Sequence, residues 1–349
     1  MLDKYKKRNS NIELLRIICI WMIVLYHLAM HSFGEQAVHI PLWDIVTNIF
    51  HIGVICFLLI SGWYGIKVTP SGLIKLTGTC LFYSLLIRIF DVSILGNPLT
   101  LKDIFYTFTP ILHEEWWFMT SYCVLYIISP FANYLWKILT DSNRTKLLII
   151  LGILMFYFGW IGNTSTIHGG RDIITFLFLY YLGNNLKGLT NKHYQYFIFI
   201  YLIICAIIII GAMLKEYIPI LSFIIRFSCF GYNSPGLIIM AIAFFMIFAK
   251  IKPFYNKWTN YAASSVFPVY LIHENYVTYP YMANLVNLDY SNLILFLLFA
   301  ASAVIIVIIC IVIDKLLSII YLPIFSIITK CFNKIIVNRN YDIISKSNN

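Results

Sequence analysis

Long runs of Ile, Leu, Val and Phe follow one another along the chain, separated only by short polar segments. A helix needs about 20 mainly apolar residues to cross a bilayer. The runs lack the strict alternation of a membrane β-barrel. They predict an all-α fold, a polytopic transmembrane helical bundle of about ten spans, at roughly 11–31, 43–66, 72–90, 115–136, 146–162, 172–187, 194–213, 236–252, 261–280 and 293–321.

Composition supports this fold class. Sixty per cent of the 349 residues are hydrophobic and 11% are charged, whereas soluble domains are about 45–50% apolar and about 25% charged. Soluble enzymes, disordered chains, disulfide-stapled secreted domains and fibrous proteins are therefore excluded.

The cysteines form no CxxC pair and no cluster with zinc-ligand spacing, so we expect packed thiols and no metal.

The distribution of basic residues predicts the orientation of the bundle. With the N-terminus in the cytoplasm, 19 Lys and Arg residues fall in inner segments and 5 in outer ones. Such a bias marks the cytoplasmic side, so we expect both termini there. Residues 1–329 form the predicted transmembrane domain, and 330–349 form a polar cytoplasmic tail. We interpret the short apolar stretch 217–232 as re-entrant or interfacial.

The first predicted helix carries three ionisable residues, which are costly inside a membrane. Arg16 and His27 are eleven residues apart, close to three helical turns, so they share a face about 16 Å apart along the axis. Glu13 lies near the same face. The stripe predicts a functional path across most of the bilayer. A simpler interpretation is an Arg–Glu pair at the interface and one hydrogen-bonded histidine in the core.

Five stretches in this order resemble the acyltransferase 3 family of integral-membrane O-acyltransferases that modify cell-surface glycans. They are Arg8 through Glu13-Leu14-Leu15-Arg16 to Tyr26-His27, Cys56–Trp63 with Ser61-Gly62, Glu115-Trp116-Trp117-Phe118-Met119 through Ser129-Pro130, Arg171 through Tyr181-Leu182-Gly183, and Ser264-Ser265 through Tyr270-Leu271-Ile272-His273. The family often has an Arg-rich pair after the second span, where this chain offers Lys67 and Lys75.

The resemblance implies acyl transfer from cytoplasmic acyl-CoA, most often acetyl-CoA, to a hydroxyl of an exported polysaccharide. Histidine is the usual base for such a step, and a carboxylate can orient it. His27 is the predicted general base or transient acyl carrier, with His273 expected at a similar depth. The other predicted catalytic residues are Glu13, His273 and Glu115. The candidate donor-phosphate contacts are Arg16, Arg8, Lys67 and Lys75. The candidate acceptor contacts are Trp116, Trp117, Arg171, His51 and Ser61.

Several of these residues also have structural interpretations. His51 suits a packed histidine, Glu114-Glu115 suits a helix start, and Ser61-Gly62 suits a close approach of two helices.

A transporter of a glycan or lipid-linked intermediate is an alternative function, because buried charge also suits a translocation path. A structural subunit of a polysaccharide synthase is a third. The expected partners are the lipid bilayer of a bacterial plasma membrane, acyl-CoA, a polysaccharide or lipid-linked glycan and polysaccharide synthase machinery, with no nucleic acid.

Overall fold

The computed structural model describes residues 9–33, 41–162, 164, 167, 169–189, 193–215, 217–218, 220–221, 231–286 and 288–347, with side chains as far as residue 334. Arg8 and most of the stretch 217–232 lie outside the described residues, so their predicted roles stay predictions. The described part of the chain is helical and contains no β-strand.

The described residues between 10 and 138 form six helices: α1 (Ser10–Phe33), α2 (Pro41–Ile49), α3 (Ile52–Tyr64), α4 (Pro70–Ser93), α5 (Leu101–Phe108) and α6 (Trp117–Ile138). The following helices are α7 (Asp141–Ile153, continued as a π-helix over Leu154–Ile161), α8 (Ile173–Asn185, followed by a 3₁₀ turn at Leu186–Gly188) and α9 (Tyr194–Leu214). The last helices are α10 (Pro235–Lys250), α11 (Lys257–Ala263), α12 (Val266–His273), α13 (Tyr279–Ala283) and α14 (Asn292–Ser347).

Six helical segments of the described chain are long and apolar enough to cross a membrane: Ser10–Phe33, Pro41–Tyr64, Pro70–Ser93, Asp141–Ile161, Tyr194–Leu214 and Asn292–Lys334. The other four predicted spans are also helical, but they do not meet the same length and hydropathy. Helices α8 and α10 are short. Helix α6 contains Pro130 and is more polar than the six segments above, and the predicted span 261–280 is interrupted between α11 and α12. A count of ten spans and the side of each terminus stay predictions. The predicted tail continues α14 as helix to Ser347.

Helix α1 lies at the centre of the bundle and packs against α2, α3, α10, α11, α12, α13 and α14. Its N-terminal end is tied to the connection between α10 and α11, because the Ser10 amide donates to the Phe254 carbonyl at 3.0 Å and Asn11 Nδ2 donates to the Ile251 carbonyl at 2.7 Å. Helices α1, α11 and α12 therefore start at one end of the bundle and carry His27 and His273 toward the other end.

Two glycines let α3 and α8 approach closely. A Cβ on Gly62 would collide with the Tyr180 carbonyl, and a Cβ on Gly183 would collide with the Leu59 carbonyl. The structural interpretation of Gly62 as a packing residue is confirmed.

A buried carboxylate holds the interruption between α11 and α12 in place. Asp314 on α14 accepts hydrogen bonds from the hydroxyls of Ser265 at 2.5 Å, Tyr83 at 2.9 Å and Tyr321 at 2.6 Å. Asp314 is 2% exposed, and a buried carboxylate needs such donors to offset its desolvation. These bonds link α4 and α14 to the start of α12, the helix that ends at His273.

Candidate active site

Two histidines and a glutamate meet where α1 and α12 approach each other. His27 Nδ1 lies 3.0 Å from His273 Nε2 and 3.0 Å from Glu274 Oε2. His27 and His273 are 7% and 1% exposed. Helix α12 ends at His273, and Glu274 follows directly with φ −107° and ψ 78°, outside the helical region. The end of the helix therefore brings the glutamate beside the histidine pair.

The hydrogen bonds assign the protons on both rings. His273 Nδ1 lies 2.6 Å from the Val269 carbonyl, which only accepts, so this nitrogen carries a proton. In the neutral ring His273 Nε2 is then an acceptor. His27 Nδ1 therefore carries a proton and donates it to His273 Nε2, and the Glu274 carboxylate lies 3.0 Å from the same nitrogen as a charged neighbour. This tautomer leaves His27 Nε2 with a free lone pair, and no partner for Nε2 is found in the described part of the chain.

Three further side chains hold Glu274. His31 Nε2 lies 3.4 Å from Glu274 Oε2, and the Tyr279 hydroxyl donates to Glu274 Oε1 at 3.2 Å. The indole N–H of Trp116 donates to the backbone carbonyl of Glu274 at 2.7 Å. His31 is one helical turn beyond His27 on α1, and its ring stacks on Tyr279 with centroids 4.3 Å apart. The carboxylate is thus fixed in place relative to His27.

A cavity of about 440 Å³ connects the histidine cluster with the opposite end of α1. Both Arg16 and His27 line it, and the eleven residues between them correspond to about 16 Å along the helix. Ser61, Trp117 and Tyr122 also contribute to its wall. Most of the lining side chains are apolar or aromatic, as in pockets that bind small molecules. The cavity is long enough to extend over three helical turns.

Arg16 lies at the far end of this cavity and pairs with Glu13, which is one turn away on α1. The guanidinium Nη1 is 2.9 Å from Glu13 Oε2, and the two side chains are 28% and 12% exposed. The pair matches the simpler sequence interpretation of these residues. Both residues of the pair line the cavity, so its end holds a guanidinium beside a carboxylate.

Ser61 and Trp117 also line the cavity, as their predicted contact with a substrate requires. The Ser61 hydroxyl donates to the Phe57 carbonyl at 2.9 Å and lies 3.2 Å from the Tyr122 hydroxyl. Arg171 stacks over Trp117, with Cζ 5.0 Å from the ring centroid. Lys67 and Lys75 are exposed beyond the end of α3 and near the start of α4. Their predicted contact with a donor stays a prediction.

The other predicted site residues lie outside the wall of this cavity. Trp116 is 2% exposed and holds the Glu274 backbone, and His51 stacks on Tyr26 with centroids 4.5 Å apart. Glu115 lies in a separate cavity and accepts a hydrogen bond from the Ser84 hydroxyl at 2.8 Å. The structure therefore brings His273 to His27 but does not bring Glu115 into that cluster.

The sequence-based site omitted His31, Glu274 and Tyr279. His31 follows His27 by four residues, a spacing that places both on one face of α1, and this signal was available in the sequence. Glu274 was one of the ionisable residues near His273, but its contact with His27 depends on where α12 ends. Tyr279 reaches Glu274 through the turn between α12 and α13, which no residue periodicity reveals.

The donor atoms of His27, His273 and Glu274 lie within 4.8 Å of one another, so this set could hold a metal ion. Two histidines and a carboxylate are a familiar ligand set for zinc. His27 and His273 also hydrogen-bond each other, and the Glu274 carboxylate contacts His31 and Tyr279.

A model of the acyltransferase 3 family, described as an acyltransferase domain, matches residues 9–315. This region extends from the start of α1 to the residue after Asp314 and includes both cavities and the histidine cluster. Neither a curated protein nor a solved structure matches the chain.

Proposed function

The chain belongs to the acyltransferase 3 family, and from this premise we propose that it transfers an acyl group, most often acetyl, from cytoplasmic acyl-CoA to a hydroxyl of a surface or exported polysaccharide. The family match and the six long apolar helices identify a membrane acyltransferase. The single observation that supports the proposed donor, acceptor and reaction is that Arg16 and His27 line the same cavity.

The cavity suits a thioester donor with a long flexible arm. The phosphates of acyl-CoA are anionic, and the fork of N–H donors on Arg16 suits them. Glu13 holds that guanidinium in place at 2.9 Å. The apolar wall between Arg16 and His27 suits the pantetheine arm, whose reach is comparable to their separation of about 16 Å. The acyl carbon then lies near His27.

His27 Nε2 acts as the general base. It takes the proton from the acceptor hydroxyl while the hydroxyl oxygen attacks the thioester carbonyl carbon. The new C–O bond forms, the C–S bond breaks, and the imidazolium returns the proton to the CoA thiolate. The products are an ester and free CoA thiol. Glu274 stabilises the imidazolium through His27 Nδ1 and fixes the ring orientation, as the carboxylate does in a Ser-His-Asp triad.

The general base and the carboxylate that orients it in this scheme are side chains of the protein. The proposal assigns no metal to the cluster and uses instead the contacts of His27 Nδ1 with His273 Nε2 and of His31 Nε2 with Glu274 Oε2. The proposed location is a bacterial plasma membrane, where the bilayer separates the cytoplasmic donor from the exported acceptor. Polysaccharide synthase machinery, which supplies the acceptor, is a further proposed partner.

The test is the acyl content of the surface glycan. Polysaccharide from wild-type cells and from cells lacking the gene is compared by NMR, with a complemented strain as the control. The proposal predicts that an ester signal disappears in the deletion strain and returns on complementation. An unchanged ester signal with loss of glycan from the surface would instead support the transporter.

A further inference from the structure

A second cavity, of about 290 Å³, lies on the other side of the histidine cluster. Its wall is formed by residues of α4, α5, the segment before α6, and the turn and helix after α12. Tyr279 belongs to this wall, and its hydroxyl donates to Glu274 Oε1. The cavity is therefore one hydrogen bond away from the carboxylate that contacts His27, and it shares no lining residue with the cavity that contains Arg16.

The wall of the second cavity combines aromatic rings with hydrogen-bond acceptors. Tyr106, Tyr276 and Tyr279 contribute their rings. Glu115 contributes a carboxylate that is partly exposed, with one oxygen bonded to Ser84 at 2.8 Å. His113 stacks on Tyr106 with centroids 4.3 Å apart, and its buried Nδ1 has no hydrogen-bond partner among the described residues. Such a wall can pack on an apolar face and accept hydrogen bonds from hydroxyls.

The positive charge in this wall is already neutralised. Each of the three guanidinium nitrogens of Arg88 has a partner: Nη1 lies 2.9 Å from Asp91, Nη2 lies 3.2 Å from Asp103, and Nε donates to Thr107 at 3.3 Å. Arg88 Cζ also lies 5.0 Å from the centre of the Tyr276 ring.

The acidic partner Asp103 is itself kept ionised. Hydrogen bonds from the Thr100 hydroxyl and amide lower the pKa of the Asp103 carboxyl. The second cation nearby is Lys102, whose Nζ lies 5.2 Å from the centre of the Tyr106 ring. Asp91 and Asp103 thus balance the charges of Arg88 and Lys102, and Glu115 adds a further carboxyl group. An anionic ligand gains little attraction here, whereas hydroxyl and amino groups find acceptors.

We propose that the second cavity binds a sugar ring of the acceptor that neighbours the acylated ring, and that it selects a neighbouring ring without a carboxylate or phosphate. This inference rests on the proposed function. It adds where an acceptor ring binds and which charge that ring can carry. The C–H face of a sugar ring packs on the tyrosines, and its hydroxyls donate to Glu115 and His113. The volume of about 290 Å³ lies just below the roughly 300–1,000 Å³ typical of small-molecule sites, which suits a single ring.

The experiment uses the purified full-length protein in lipid vesicles, with acetyl-CoA as donor and the isolated host polysaccharide, freed of its esters, as acceptor. Glu115→Gln removes the charge of the proposed acceptor contact, and Ser84→Ala removes the bond that orients it. Glu114→Gln is the matched control, because Glu114 is adjacent, exposed and outside both cavity walls. The measured quantities are KM for the polysaccharide and Kd for CoA.

A lost charge-assisted hydrogen bond is worth about 1.5–3 kcal/mol, or about tenfold to a hundredfold. We expect Glu115→Gln to raise KM for the polysaccharide at least tenfold and Ser84→Ala to raise it less, with Kd for CoA unchanged and Glu114→Gln equal to wild type. An unchanged KM in Glu115→Gln, or a matching rise in Kd for CoA, would overturn the assignment. NMR of the product should show an uncharged or amino sugar next to the esterified one, and acylation of a polysaccharide in which every ring carries a carboxylate or phosphate would overturn the charge selection. A wild-type protein that binds CoA but acylates no polysaccharide would refute the proposed function itself.

Discussion

Glu274 Oε2 lies 3.0 Å from Nδ1 of His27, although the two residues are 247 positions apart in the sequence. The contact forms because α12 ends at His273 and the next residue leaves the helix beside α1. His27 Nδ1 donates its proton to His273 Nε2 beside this carboxylate, and this leaves Nε2 of His27 free to accept a proton from a substrate. The arrangement of base and orienting carboxylate follows from this one relationship.

Glu274→Gln tests the role of the carboxylate. The amide is similar in shape but has no charge to stabilise an imidazolium, so we expect kcat for acyl transfer to fall by about 10² or more. Kd for CoA should not change, because Glu274 does not line the cavity that contains Arg16. Glu114→Gln serves as the exposed control. Equal kcat values for Glu274→Gln and wild type would remove the carboxylate from the mechanism.

Arg16→Ala tests the donor end of the cavity. Loss of a charge-assisted hydrogen bond to phosphate should raise KM for acyl-CoA by about tenfold to a hundredfold. Arg16→Lys should leave KM for acyl-CoA nearly as high as Arg16→Ala does, because the lysine ammonium group does not reproduce a bidentate contact with phosphate. Arg144→Ala is a matched control, since Arg144 also pairs with a carboxylate three residues earlier, Asp141, at 2.7 Å. If Arg16→Ala and Arg144→Ala give the same KM, Arg16 is only an interfacial anchor.

Gly62→Ala tests the packing of α3 against α8. The added methyl group would collide with the Tyr180 carbonyl, and overpacking typically costs about 1–3 kcal/mol. The thermal unfolding midpoint in detergent should therefore fall. Gly188→Ala is the control, because a Cβ at Gly188 meets nothing within 4 Å. Equal midpoints for the two variants would contradict the close approach.

Accessibility labelling tests the orientation of the bundle. In a Cys331→Ser background, a cysteine at Leu101, which is 86% exposed on α5, should react with an impermeant reagent added outside intact cells. A cysteine at Ser142, near the start of α7, should react only after the membrane is opened. Labelling of both positions from one side would contradict the topology predicted by the distribution of basic residues.

Helical periodicity explains what could be predicted from the sequence. The 3.6-residue repeat placed Arg16 and His27 on one face of α1, and both line one cavity. Depth counted along the helices placed His273 near His27, and the two rings are in contact.

The remaining features depend on irregular segments. The end of α12 sets the position of Glu274, and the segment between α5 and α6 turns Trp116 inward while it leaves Glu115 in the second cavity. Periodicity carries no information about such turns. The break after α11 also depends on Asp314 from a distant helix, a tertiary contact that local sequence does not encode.

The most direct test of the account is acyl transfer by His27→Gln, measured as ester content of the glycan by NMR at matched protein level. Glutamine keeps hydrogen-bonding groups at this position but cannot accept a proton, and loss of a general base costs about 10²–10⁴ in rate. We expect no detectable ester in His27→Gln or His27→Ala, with normal membrane insertion. Near wild-type ester content in His27→Gln would contradict the account and make His273 the next candidate base.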